Sequence, residues 1–219
     1  MRTQARIPLA LLCAAALSAC HASGSSSSGP PIVQPGAPGQ ATRVIPVAQA
    51  VDTSKVGYTP ADVRFMQGMI GHHAQALEMA ALVPSHTSRE DMKMLALRID
   101  VSQADEIKMM QRWLEARGQA VPGPHAHHGN GAALMPGMLT PQEMERLAAA
   151  KGPEFDRLFL EGMIKHHDGA LTMVKELFAS PGAGQEAEMY AFASDVDADQ
   201  RMEIERMGAM LAMLKEQPK

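Results

Sequence analysis

From Tyr58 onward, apolar residues recur three and four positions apart, the spacing of amphipathic helices. Thr59-Pro60 reads as an N-cap followed by proline at the first helical position. A helix is predicted from Pro60 to about Val83, with Pro84 as its stop. Ser88-Arg89-Glu90-Asp91 offers capping residues for a second helix, predicted to reach about Arg117 and to end at Gly118. Residues 118–139 are a Gly-, Pro- and His-rich connection. Thr140-Pro141-Gln142-Glu143 has the form of a capping box and predicts a short helix to about Lys151, broken by Gly152-Pro153. A further helix is predicted from Glu154 to about Ala179. Ser180-Pro181-Gly182 separates it from a last one ending near Lys215. No run of alternating β-branched residues argues for strands.

The pattern is written twice. Phe65-Met66-Gln67-Gly68-Met69-Ile70-Gly71-His72-His73-Ala74-Gln75-Ala76-Leu77-Glu78-Met79 corresponds to Phe159-Leu160-Glu161-Gly162-Met163-Ile164-Lys165-His166-His167-Asp168-Gly169-Ala170-Leu171-Thr172-Met173. The following helices match as well, with Gln103, Glu106, Ile107 and Met110 answering to Gln200, Glu203, Ile204 and Met207. Each half is therefore a helical hairpin that cannot bury its apolar stripe alone. The fold class this implies is all-α, a four-helix bundle of two duplicated hairpins. Half one is 58–118, the His/Met-rich linker 119–139, and half two 140–217.

On a helical projection Phe65, Met69, His72, His73, Ala76, Met79, Ala80 and Val83 share one broad stripe. Gln67, Gly71, Ala74, Gln75 and Glu78 fall on the opposite side. Both histidines thus lie on the apolar face, within a turn of methionine. An imidazole buried without a partner costs about 1–3 kcal/mol, so four such rings need partners. Thioether and imidazole together suit copper, Cu(I) above all. The candidate ligands are Met69, His72, His73 and Met79, with Met163, His166, His167 and Met173. Met66 is a weaker candidate because its counterpart is Leu160. A ligating histidine usually gives its other N–H to an acceptor. Glu106 and Glu203 are placed to accept it, or else stand at the wet margin of the bundle. His125, His127, His128, Met135 and Met138 form a second cluster in the connection, read as a flexible loop able to hand ions to the bundle or as a plain linker.

Composition limits the rest. Arg2 and Arg6 precede a short apolar run from Ile7 to Ala16, the pattern of a secretory signal over 1–19. Leu17-Ser18-Ala19-Cys20 resembles a lipobox, which implies cleavage before Cys20 and a lipid on its sulfur. His21 after Cys20, in place of a retaining Asp, leans towards the outer membrane and its periplasmic side. Cys13 leaves with the signal, so no free thiol remains to bind metal, and 17 of the 18 methionines, all but Met1, are the soft donors left. Removing residues 1–19 takes the formal charge from −4 to −6. With no basic stripe and few aromatics, nucleic acid is excluded as a partner. Residues 20–57, rich in Ser, Gly and Pro, read as a disordered tether. The chain has no Glu-x-x-His, no His-Glu-x-x-His, no Gly-x-Ser-x-Gly and no phosphate-binding glycine loop. No enzymatic activity is expected.

Gly68-Met69-Ile70-x-His72-His73-x-x-Ala76-x-x-Met79, its copy from Gly162 to Met173, the Gln-x-x-Glu-Ile segments at 103–107 and 200–204, and Met135-Pro136-Gly137-Met138 resemble the bacterial domain of unknown function 305 family. The resemblance covers about residues 58–214. It implies a ferritin-like, exported protein associated with copper handling. The function expected is that of a periplasmic lipoprotein sequestering or relaying copper. Its partners would be the metal ion, the membrane through Cys20, and a periplasmic copper-handling protein or a second copy of the chain. The alternative is a structural or adaptor lipoprotein whose Met/His stripe is core or a partner-binding groove.

Overall fold

The structure is a computed structural model that describes residues 32–34, 36, 39–45, 56–123 and 134–216. Five helices follow one another: α1 Pro60–His86, α2 Glu90–Ala116, α3 Pro141–Ala149, α4 Gly152–Ala179 and α5 Ala187–Glu216. The two hairpins α1–α2 and α4–α5 pack through α1 and α4 into an all-α bundle, with α3 leaning on α4. The signal segment 1–19, Cys20 and His125, His127 and His128 lie outside the described residues.

Local chemistry explains most of the boundaries. Thr59 Oγ1 accepts from the backbone N–H groups of Ala61 and Asp62 at 3.2 and 3.3 Å, and Asp62 Oδ2 accepts in return from Thr59 N at 2.6 Å. Asp62 Oδ1 also accepts from Gly184 N at 2.7 Å, pinning the start of α1 to the α4–α5 turn. Thr140 and Glu143 close the second capping box at the start of α3.

Three expectations are corrected. Pro84 does not stop α1, which runs on to His86. The Pro84 ring is exposed, and the last turn is held by Thr87 N bonding Val83 O at 3.2 Å. No side chain caps α2. Its N-cap is Arg89, whose guanidinium pairs instead with Asp91. The stretch 20–57, expected to carry no structure, holds a short antiparallel hairpin, β1 Ile32–Gln34 with β2 Arg43–Ile45.

The apolar core forms two clusters. One gathers Phe65, Met66, Met69, Met110, Trp113, Met173, Met189 and Phe192. The other gathers Met79, Met92, Ile99, Leu139, Phe155, Phe159, Leu160, Met163 and Met207. Each large apolar side chain so buried contributes roughly 1.5–3 kcal/mol. None of the paired histidines belongs to either cluster. Two of these four rings, His73 and His167, bond the Glu106 and Glu203 carboxylates. No helix among the described residues is long and apolar enough to cross a membrane.

Candidate metal centre

All four paired histidines are buried. The amphipathic projection holds for their face of α1, but the expected polar side is buried too. Gly71, Ala74 and Gln75 are buried, and the segment 134–140 is strapped along this stretch through Gln75. Gln75 satisfies its amide against that strap, donating to Leu139 O at 2.9 Å and accepting from Leu139 N at 2.7 Å.

Met135-Pro136-Gly137-Met138 is therefore packed rather than loose. Met138 N bonds Met135 O at 3.2 Å across a turn in which Gly137 has φ 74. This is the arrangement of a Pro-Gly type II turn, which leaves the Pro136 carbonyl pointing outward. That carbonyl lies 2.9 Å from His72 Nε2. The approach needs glycine on both sides. A Cβ at Gly169 of α4 would lie 2.0 Å from Pro136 O, and one at Gly137 would lie 2.4 Å from Lys165 O. Met138 is buried, and Met135 packs on the first cluster.

Every paired histidine presents Nε2 to an oxygen. His73 Nε2 lies 2.5 Å from Glu106 Oε2, and His167 Nε2 lies 2.6 Å from Glu203 Oε2. His166 Nε2 lies 2.9 Å from the backbone carbonyl of His72. A carbonyl oxygen only accepts, so Nε2 must donate, and in a neutral ring the lone pair then sits on Nδ1. Burial, and after it the nearby rings of His72, His167 and His73, holds the His166 pKa well below the imidazole range, which keeps it neutral. The Nδ1 atoms of His73, His166 and His167 are buried with no hydrogen-bond partner. The His72 ring stacks on that of His166 with centroids 3.8 Å apart at 37°.

Glu106 and Glu203 thus bond the histidines rather than standing idle at the bundle margin. Glu203 Oε1 is also 3.6 Å from Arg98 Nε of α2, which joins the two hairpins behind the rings. Gln103 and Gln200, the neighbours of these glutamates, are buried as well. The Gln103 amide and the Gln200 Oε1 have no partner. The sequence placed them on the inner stripe as further possible acceptors for the histidines, and the structure gives that part to the two glutamates alone.

The eight principal candidates are buried, but they are not in one place. Met69 and Met173 lie in the first apolar cluster, Met79 and Met163 in the second. Among the described residues, no three His, Cys, Asp or Glu side chains converge closely enough to hold a metal ion. An ion taken up at these ring nitrogens would therefore need thioether sulfur as well, which is what Cu(I) and Ag(I) accept. Sequence reasoning missed the strap's part in this layer. Its signal was a glycine, Gly169, standing mid-helix two residues after the second histidine pair.

The chain is thus an all-helical bundle of two repeated hairpins that buries a layer of four histidines with methionines to either side. The chain belongs to the DUF305 family, a domain of unknown function whose family model matches residues 62–211. A DUF305 fragment from Deinococcus radiodurans is 31% identical, with a TM-score of 0.61 over 71% of this chain and 98% of that one. A DUF305 protein from Streptomyces coelicolor, described as secreted, is 30% identical, with a TM-score of 0.60 over 73% and 96%. CopM in its Cu(I)-bound form is 28% identical, with a TM-score of 0.53 over 70% and 96%. CopM has also been solved with Cu(II) and with Ag. No protein of curated function matches the sequence.

Proposed function

We propose that this protein binds copper in the cell envelope, sequestering or relaying Cu(I) in copper homeostasis or resistance. The observation that carries this reading is the set of buried Nδ1 atoms on His73, His166 and His167 that have no hydrogen-bond partner. Their rings are oriented by oxygen acceptors, and buried thioethers lie to either side. A core histidine that served packing alone would use both nitrogens or expose one, since an unmet buried polar atom costs about 1–3 kcal/mol. The copper- and silver-bound forms of CopM support the choice of metal. Cu(II), a harder ion, would rely on the histidines alone.

In this reading residues 1–19 direct export and Cys20 carries the lipid. Residues 20–57 hold the bundle off the outer membrane on its periplasmic side. No turnover is required of the protein. The adaptor alternative loses its groove, because the Met/His stripe is buried inside the chain's own bundle. X-ray absorption at the copper edge of the Cu(I)-loaded protein is expected to show sulfur and nitrogen neighbours together. A coordination sphere of nitrogen and oxygen alone would remove methionine from the site and overturn the Cu(I) assignment.

A further inference from the structure

α1 and α4 run antiparallel through the histidine stack, so the end of each motif meets the start of the other. A Cβ placed on Gly68 would lie 3.4 Å from Met173 Cε, and one on Gly162 would lie 3.3 Å from Met79 Cε. The last methionine of each motif therefore rests on the glycine that opens the partner motif. The residue after that glycine is itself a methionine, Met69 at one end and Met163 at the other, and both are fully buried. Met69 and Met173 share one apolar cluster and Met163 and Met79 the other, so each end draws a thioether from each hairpin.

The strap breaks this symmetry. At the Gly68 end it contributes Met135, whose Sδ would lie 3.2 Å from a Cβ on Gly68. At the Gly162 end the corresponding atom is Leu139 Cδ2, also at 3.2 Å from such a Cβ. Met66, two residues before Gly68, has Leu160 as its counterpart, and both are fully buried. One end thus offers thioethers from α1, α4 and the strap. The other offers thioethers from α1 and α4, with leucine closing it.

We infer that the bundle holds two soft-metal sites, one at each end of the histidine stack, and that Met135 makes the Gly68-end site the tighter of the two for Cu(I). The inference rests on the copper reading above, and it adds the number of sites, their composition across both hairpins and their inequality. The added thioether of Met135 favours Cu(I), because soft donors suit the monovalent ion. Leucine in place of methionine conserves volume at little cost to the core, usually under about 1.5 kcal/mol. The strap's backbone bonds to His72 and Gln75 do not involve either side chain.

The test is an anaerobic Cu(I) titration of the purified protein against a chromophoric chelator, with the Met135→Leu and Leu139→Met variants beside it. The wild type is expected to take two Cu(I) per chain in two resolved phases. Met135→Leu should weaken the tighter phase about tenfold and leave the weaker one in place. Leu139→Met should strengthen the weaker phase and bring the two together, which keeps the test decisive if Met135→Leu folds poorly. A single ion per chain, or two phases unmoved by either substitution, would overturn this inference while leaving copper binding intact. No competition with the chelator by any form would overturn the copper reading itself.

Discussion

His166 shows how one side chain is committed by its surroundings. Its Nε2 faces a backbone carbonyl, its ring faces His72, and burial disfavours its charged form. In the unfolded chain the same ring takes up a proton near pH 6.5. Below that pH the unfolded state binds more protons than the folded one, so stability falls as pH drops; above it the ring has no effect. For metal-free protein this ring alone should remove up to about 1.4 kcal/mol per pH unit in the window below its unfolded pKa. Melts of metal-free protein taken downward from neutral pH should show Tm falling through that window. A Tm that stays level would mean the ring is not held neutral. The pairing of His73 with Glu106 was open to reading in the sequence, because matched stripes on two hairpin helices bring those positions together. The acceptor for His166 was not. It is a main-chain oxygen on another helix, and it depends on how closely α1 and α4 approach.

At the scale of elements, periodicity and caps located all five helices to within a few residues. The errors came where context overrode a local rule. Pro84 is tolerated near the end of α1 because its ring points to solvent and one further turn is closed by Thr87. Burial of Gln75 could not be seen in a single helix's projection, since a distant strap bonds its amide. That strap needs Gly169. Replacing Gly169 with Ala sets a methyl against Pro136 O, where only 2.0 Å is available. The backbone must then move, at a cost of roughly 3 kcal/mol, the upper end of the overpacking range. The strap's bonds to His72 and Gln75 should loosen with it. Thermal unfolding and hydrogen exchange at Leu139 N will check this: a lower Tm and faster exchange are expected, and unchanged exchange would contradict the role given to the strap.

For the whole molecule, duplication explains why the histidine layer lies where the halves meet. Each hairpin alone would expose two histidines and a methionine stripe. Joining α1 to α4 buries both sets, stacks His72 on His166 and leaves the glutamates of α2 and α5 to hold the outer rings. The repeat made the two-hairpin bundle legible from sequence, and the paired histidines marked the face that the two halves bury between them. The inequality of the two ends was not, because it comes from a connecting segment with no counterpart in the repeat.

The most direct test of the central claim compares the wild type with a variant in which His72, His73, His166 and His167 are all replaced by Gln. Both are titrated anaerobically with Cu(I) against a chromophoric chelator, with circular dichroism confirming the fold. The wild type should compete for Cu(I) and saturate, and the folded variant should take up little or none. A folded variant that holds as much copper as the wild type, as tightly, would show that the histidine layer is packing and that the metal is bound elsewhere.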